Sequence, residues 1–99
     1  MGEYYASGEW HVTAGKEKEF ISAWTEFLTW TRKTQPGLVR AELTRDTADT
    51  NHFLSISEWE DTKSRDEWRK AADFQQKFGA ARALCDETHN ANYKTTVTI

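Results

Sequence analysis

The spacing of apolar residues changes repeatedly along this chain, and each change marks an element boundary. The stretch from Tyr4 to Val12 reads as a strand, and Gly15 ends the turn that feeds a helix. Phe20, Trp24, Phe27, Leu28 and Thr31 then recur at helical spacing on one face, while Lys16, Glu17, Glu19, Glu26 and Arg32 occupy the other faces or the ends. Pro36 and Gly37 stop this helix and open a second strand, Leu38 to Arg45, which the polar turn 46–51 joins to a third strand, His52 to Trp59, in an antiparallel hairpin. Asp61 or Thr62 can cap a short helix through Trp68 and Lys70. The helical region breaks near Ala72, and Phe74, Phe78, Ala81 and Cys85 form a further stripe at a spacing of about four residues. Tyr93, Thr95, Val97 and Ile99 alternate with Lys94, Thr96 and Thr98, which predicts a closing strand with one apolar edge.

The order strand, helix, strand, strand, helix, strand predicts an α+β fold, a ferredoxin-like βαββαβ sandwich with an antiparallel sheet, as one domain over residues 1–99. On the third strand Phe53, Ser55, Ser57 and Trp59 lie on one side and His52, Leu54, Ile56 and Glu58 on the other, so both faces carry large apolar groups. Helices cover only one face of such a sheet, and the second needs another cover. A second copy of the chain is the simplest, burying Leu54 and Ile56 for roughly 1.5–3 kcal/mol each before entropic costs. A homodimer is therefore expected, with Arg40, Glu42, Glu9 and His11 on the joined faces and an intersubunit ion pair between Arg40 and Glu9 or Glu42, the alternative being a monomer whose C-terminal strand folds across that face.

Composition narrows the partners. With 13 basic and 16 acidic residues the net charge is −3, and no run of Lys and Arg is long enough for a phosphate-binding stripe, so nucleic acid is not an expected partner. Apolar runs are only a few residues long and the polar start MGEYYASGE has no apolar signal core, which predicts a cytoplasmic protein with no membrane partner. The lone cysteine, Cys85, beside Ala83 and Leu84, suits a packed thiol.

Candidate chemistry concentrates in the aromatics. Trp10, Trp59, Trp68, Phe74 and Phe78 can line a space between helices and sheet, where a planar small aromatic molecule fits, while Phe20, Trp24 and Phe27 read as core. Trp68 sits among Arg65, Asp66, Glu67, Arg69 and Lys70, a polar setting that suggests a gate. No dinucleotide or phosphate loop is present, and His11, His52, His89 and Cys85 do not fall at metal-ligand spacing, so no cofactor and no metal are expected. His11 and His52 suit a surface or interface role, or a base near neutral pH, and His89 in the turn ETHNAN suits solvent.

The pattern running from GEWHVTAGKEKEFISAW through PGLVRAELTRD to SISEWEDTKSRDEW resembles the antibiotic biosynthesis monooxygenase family of the dimeric α/β barrel superfamily. That resemblance implies two sandwiches paired sheet to sheet into a barrel. In the heme-degrading branch the working Asn, Trp and His would fall on Gly8, Trp68 and Phe78; only the Trp matches, and Phe78 cannot ligate iron. In the branch that oxygenates aromatic polyketides the Asn, Trp, Tyr and Arg would fall on Ser55, Trp59, Arg65 and Gly79, so that Trp59 matches and Ser55 is a weaker hydrogen-bonding substitute. The implied activity is a cofactor-independent oxidation of a polycyclic aromatic or quinol by O2, with Trp59 and Trp68 holding the rings. The alternative is a non-catalytic small-molecule binding or accessory protein on the same scaffold.

Overall fold

The computed structural model describes residues 2–99. In chain order the elements are β1 (Tyr4–Val12), α1 (Glu17–Thr34), β2 (Leu38–Arg45), β3 (His52–Trp59), α2 (Thr62–Lys70), α3 (Phe74–Arg82) and β4 (Cys85–Lys94). The four strands form one antiparallel sheet in the order β2-β3-β1-β4. The fold is the ferredoxin-like sandwich predicted, with its second helical segment divided in two.

Local chemistry explains the boundaries. Gly15 turns the chain into α1 with φ of 89°, a left-handed conformation that glycine adopts without Cβ strain. At the other end Gln35 is extended, as a residue before proline must be, and its N–H still reaches Thr31 O at 2.9 Å. Asp61 is the N-cap of α2, accepting the Ser64 N–H at 2.7 Å. Cα registers place Ser55 of β3 opposite Gly8, Gly8 opposite Asn90, and Leu43 opposite Ser55. Residues in such a row share one side of the sheet.

The core lies between the sheet and the helices. Phe53, Ser55, Ser57 and Trp59 of β3, Trp10 and Val12 of β1, and Phe20, Trp24, Phe27 and Thr31 of α1 are buried there. On the opposite face Leu54 is 45% and Tyr93 56% exposed, which leaves large apolar groups in solvent on the isolated chain. The charged residues on that face pair within the chain. Arg40 meets Glu42 at 3.4 Å and Glu58 at 3.2 Å, and His52 lies between Glu9 and Asp46 at 3.2 Å each. Arg40 thus has acidic partners within its own chain.

The closing strand differs from expectation. It occupies Cys85–Lys94, whereas residues 95–99, despite their alternation, belong to no strand beyond a Thr95 N–H bond to Glu3 O at 2.8 Å. Cys85 therefore opens a strand and does not extend the helical stripe, and His89 is a strand residue opposite Glu9, not part of a turn. As an edge strand paired only with β1, β4 is specified by backbone hydrogen bonds more than by apolar side chains, and its sequence CDETHNANYK carries little periodic signal. Among the described residues no helix is long and apolar enough to cross a membrane.

Candidate functional site

Between α1, α3, the end of α2 and the sheet lies a cavity of about 370 Å³. Of the residues expected at a site, Trp10, Ser55, Trp68, Phe74 and Phe78 line it. Trp59 does not. Its ring is fully buried behind Trp68, 4.8 Å between centroids, so it supports the cavity wall from outside the lining. Phe27 joins the walls together, with Trp24 at 5.0 Å, Phe74 at 5.4 Å and Phe78 at 5.8 Å. Edge and tilted contacts of this kind add roughly 0.5–1.5 kcal/mol per pair beyond area burial.

A buried indole needs an acceptor for its N–H, and three of these tryptophans find one on a hydroxyl. Trp10 donates to Ser55 Oγ at 3.0 Å, Trp59 to Ser57 Oγ at 2.9 Å and Trp68 to Thr31 Oγ1 at 3.1 Å. Strand alternation puts both serines on the helix-facing side of β3, and the helical stripe puts Thr31 under α2. Trp68, which its charged neighbours suggested as a gate, forms a wall of the cavity here, 5% exposed and bonded at its polar end. Trp24 is the exception: its indole N–H is buried with no partner among the described residues.

Gly8 makes the arrangement possible at the floor. A Cβ there would stand 2.7 Å from Trp10 Nε1 and 3.0 Å from Asn90 Nδ2, so only glycine lets the indole lie back over its own strand toward Ser55. Ser55 accepts from Trp10 and its own proton is bonded to nothing among the described residues, which leaves a hydroxyl donor at the cavity floor.

Several lining residues carry no clear site signal in the sequence. Trp24 and Phe27 read there as core and serve as core and wall together. Asn90 and Asn92 line the cavity from β4, and the signal that could find them is their alternation with Ala91 in register with Gly8 and Ala6. Gln75 and Arg69 complete the polar part of the lining. Burial holds the Arg69 guanidinium below its ordinary pKa, repulsion from Arg65 adds to this, and Asp66 opposes it.

The remaining titratable candidates lie elsewhere. His11 and His52 stack on the open sheet face with centroids 4.6 Å apart. The bond to Asp46, helped by Glu9, raises the His52 pKa above its ordinary value. Cys85 is half-buried and burial pushes its thiol up to about 11, consistent with a packed residue. Among the described residues no group of three or more His, Cys, Asp or Glu is disposed to hold a metal ion.

Comparison with known proteins places these features in a family. Residues 4–79 match the family model described as Antibiotic biosynthesis monooxygenase, and the chain belongs to that family. No curated protein matches this sequence. Among solved structures, SnoaB, a cofactor-independent oxygenase from Streptomyces nogalater, is similar over 100% of this chain and 98% of its own, with 23% identity and a TM-score of 0.89. A mutant form of the same oxygenase superposes with a TM-score of 0.90 at the same identity and coverage. A conserved protein from Methanosarcina mazei Go1 is 18% identical over 97% of this chain and 95% of its own, with a TM-score of 0.87. At these identities the structural likeness establishes the fold.

Proposed function

We propose that this member of the antibiotic biosynthesis monooxygenase family oxidises a polycyclic aromatic or quinol-type small molecule with O2, without flavin or metal. The observation that carries the reading is the aromatic-walled cavity of about 370 Å³ with the free Ser55 hydroxyl proton at its floor. A cofactor-independent oxygenase among its structural neighbours supports the same chemistry.

An anthrone illustrates the reaction. Loss of a proton from its CH2 gives an electron-rich enolate that reduces O2 directly. The carbon–oxygen bond then forms to give a hydroperoxide, and loss of water leaves the quinone carbonyl, so that one oxygen atom enters product and the other leaves as water. The protein contributes an apolar cavity that orients the ring, excludes bulk water and supplies the Ser55 O–H to the developing oxyanion. Among the described residues no carboxylate or imidazole lines the cavity, and in this proposal water at its mouth takes the first proton.

The absence of a side-chain base from the lining is also the observation that favours the second reading, a small-molecule binding or accessory protein. Oxygen uptake with a panel of anthrones and naphthohydroquinones, followed in parallel with tryptophan fluorescence, separates the two. Saturable quenching with stoichiometric O2 consumption and quinone formation supports the oxygenase, and saturable quenching without consumption supports the binding protein.

The working unit in this proposal is a homodimer joined through the open sheet face. That face carries Tyr5, Leu54, Ile56 and Tyr93 beside Thr95, Val97 and Thr98, around a second depression of about 560 Å³. Sedimentation at 11.5 kDa at micromolar concentration would overturn the dimer.

A further inference from the structure

We propose that Arg69 reads an acidic oxygen on the ligand, so that the molecule the cavity takes is a planar aromatic acid. The inference rests on the reading of this cavity as the ligand site. Four of the six arginines of this chain have partners. Arg32 donates to the carbonyls of Leu38 and Val39 at 3.1 and 3.2 Å, and Arg40 holds Glu42 and Glu58. Arg45 donates to Thr50 O at 2.7 Å, and Arg65 reaches Tyr5 O at 3.4 Å with Asp66 at 3.8 Å. Arg69 has neither a hydrogen bond nor an ion pair among the described residues, yet it lines the cavity. Arg82, also without a partner among the described residues, is exposed and lies outside the lining.

A half-buried guanidinium on an apolar wall with no ion pair among the described residues is an unfavourable arrangement that an anion relieves. The Trp68 ring centroid lies 5.8 Å from Arg69 Cζ, which sets the fork beside the aromatic wall without neutralising it, and the pull of Asp66 is outweighed by the repulsion from Arg65. The helix dipole accounts for basic residues in the last turn of α2, and the exposed Lys70 meets that need without entering the lining. Among the described residues nothing acidic lines the cavity to repel an anion, and the amides of Gln75, Asn90 and Asn92 offer further donors. A planar fork of this kind matches a carboxylate bidentately.

The test compares binding of anthracene-9-carboxylate and anthracene-9-carboxamide, two rings of the same shape that differ in charge, to wild type, Arg69→Gln and Arg69→Lys at pH 7. Wild type is expected to prefer the carboxylate by about tenfold, the scale of one charge-assisted hydrogen bond. Arg69→Gln should abolish that preference while leaving carboxamide affinity within about twofold, and Arg69→Lys, which keeps the charge but not the fork, should retain part of it. Equal binding of the two ligands by wild type, an undiminished preference in Arg69→Gln, equal weakening of both ligands in that variant, or no binding of either overturns the proposal. Because the readout is affinity and requires no oxygen, failure to turn over overturns the oxygenase reading alone.

Discussion

Trp10 and Ser55, 45 positions apart in sequence, are joined by a 3.0 Å indole-to-hydroxyl hydrogen bond that ties β1 to β3 at the floor of the cavity. Removing the acceptor strands a buried donor, which costs about 1–3 kcal/mol. Ser55→Ala should therefore lower unfolding free energy by that amount in urea titrations, whereas Ser55→Thr should lose less. In oxygen-uptake assays Ser55→Ala should also reduce turnover by roughly 10²-fold, the scale of one oxyanion donor. Normal turnover in a folded Ser55→Ala protein would remove the hydroxyl from the mechanism.

Gly8 should tolerate no side chain. Gly8→Ala forces a methyl against Trp10 Nε1 and Asn90 Nδ2, and the indole must swing away from Ser55. Overpacking of this kind costs about 1–3 kcal/mol. The near-ultraviolet circular dichroism of the tryptophans should change with it, and an unchanged spectrum with wild-type stability would refute the account.

Trp59 and Trp68 should behave differently although both are buried. Trp68→Phe thins a cavity wall and leaves Thr31 Oγ1 without its donor, so ligand affinity should fall by about tenfold or more. Trp59→Phe changes a ring that lies outside the lining, and affinity should stay within about threefold while thermal stability drops. Isothermal titration with the anthracene ligands and a thermal melt of each variant would show whether the two effects separate.

His52 should link stability to pH on the open sheet face. Its pKa is raised from 6.5 chiefly by the bond to Asp46 and then by Glu9, so the folded state favours the imidazolium. This contribution is fully present below pH 6.5 and is lost as pH rises through the raised folded value. Asp46 has the opposite sense. Backbone N–H groups of Asp49 and Ala48, with His52, hold it down from 3.8 to about 2, so its contribution is present above 3.8 and lost as pH falls toward 2. A proton NMR titration should give His52 a midpoint above that of an unfolded histidine, and His52→Asn should remove the alkaline loss of stability. A midpoint at or below the unfolded value would contradict the bridge.

The first three strands and the long helix are legible in the sequence because each presents a strong period to the core. Phe53, Ser55, Ser57 and Trp59 alternate, and Phe20, Trp24, Phe27 and Thr31 fall on one helical face. The fourth strand is hidden by its position at the sheet edge. Asn90 and Asn92 face the cavity and His89 faces outward, so no apolar rhythm marks it, while the alternation of Thr95, Val97 and Ile99 draws the expected strand too far toward the C-terminus. The aromatic part of the cavity is readable for the same reason the core is. Arg69 is not, because a basic residue in a stretch of mixed charge looks like solvated surface until the lack of a partner among the described residues is seen in three dimensions.

The hydroxyls spent on Trp10, Trp59 and Trp68 all come from β3 and α1, whereas Asn90 and Asn92 of β4 make no side-chain hydrogen bond among the described residues. The bonded aromatic frame and the unbonded amides of the cavity edge thus sit on separate parts of the chain. A lineage could exchange the amides on this edge strand one at a time, acquiring new ligand preferences, without disturbing the bonded aromatic frame that keeps the protein folded. For an engineer, positions 90 and 92 are the places to diversify first.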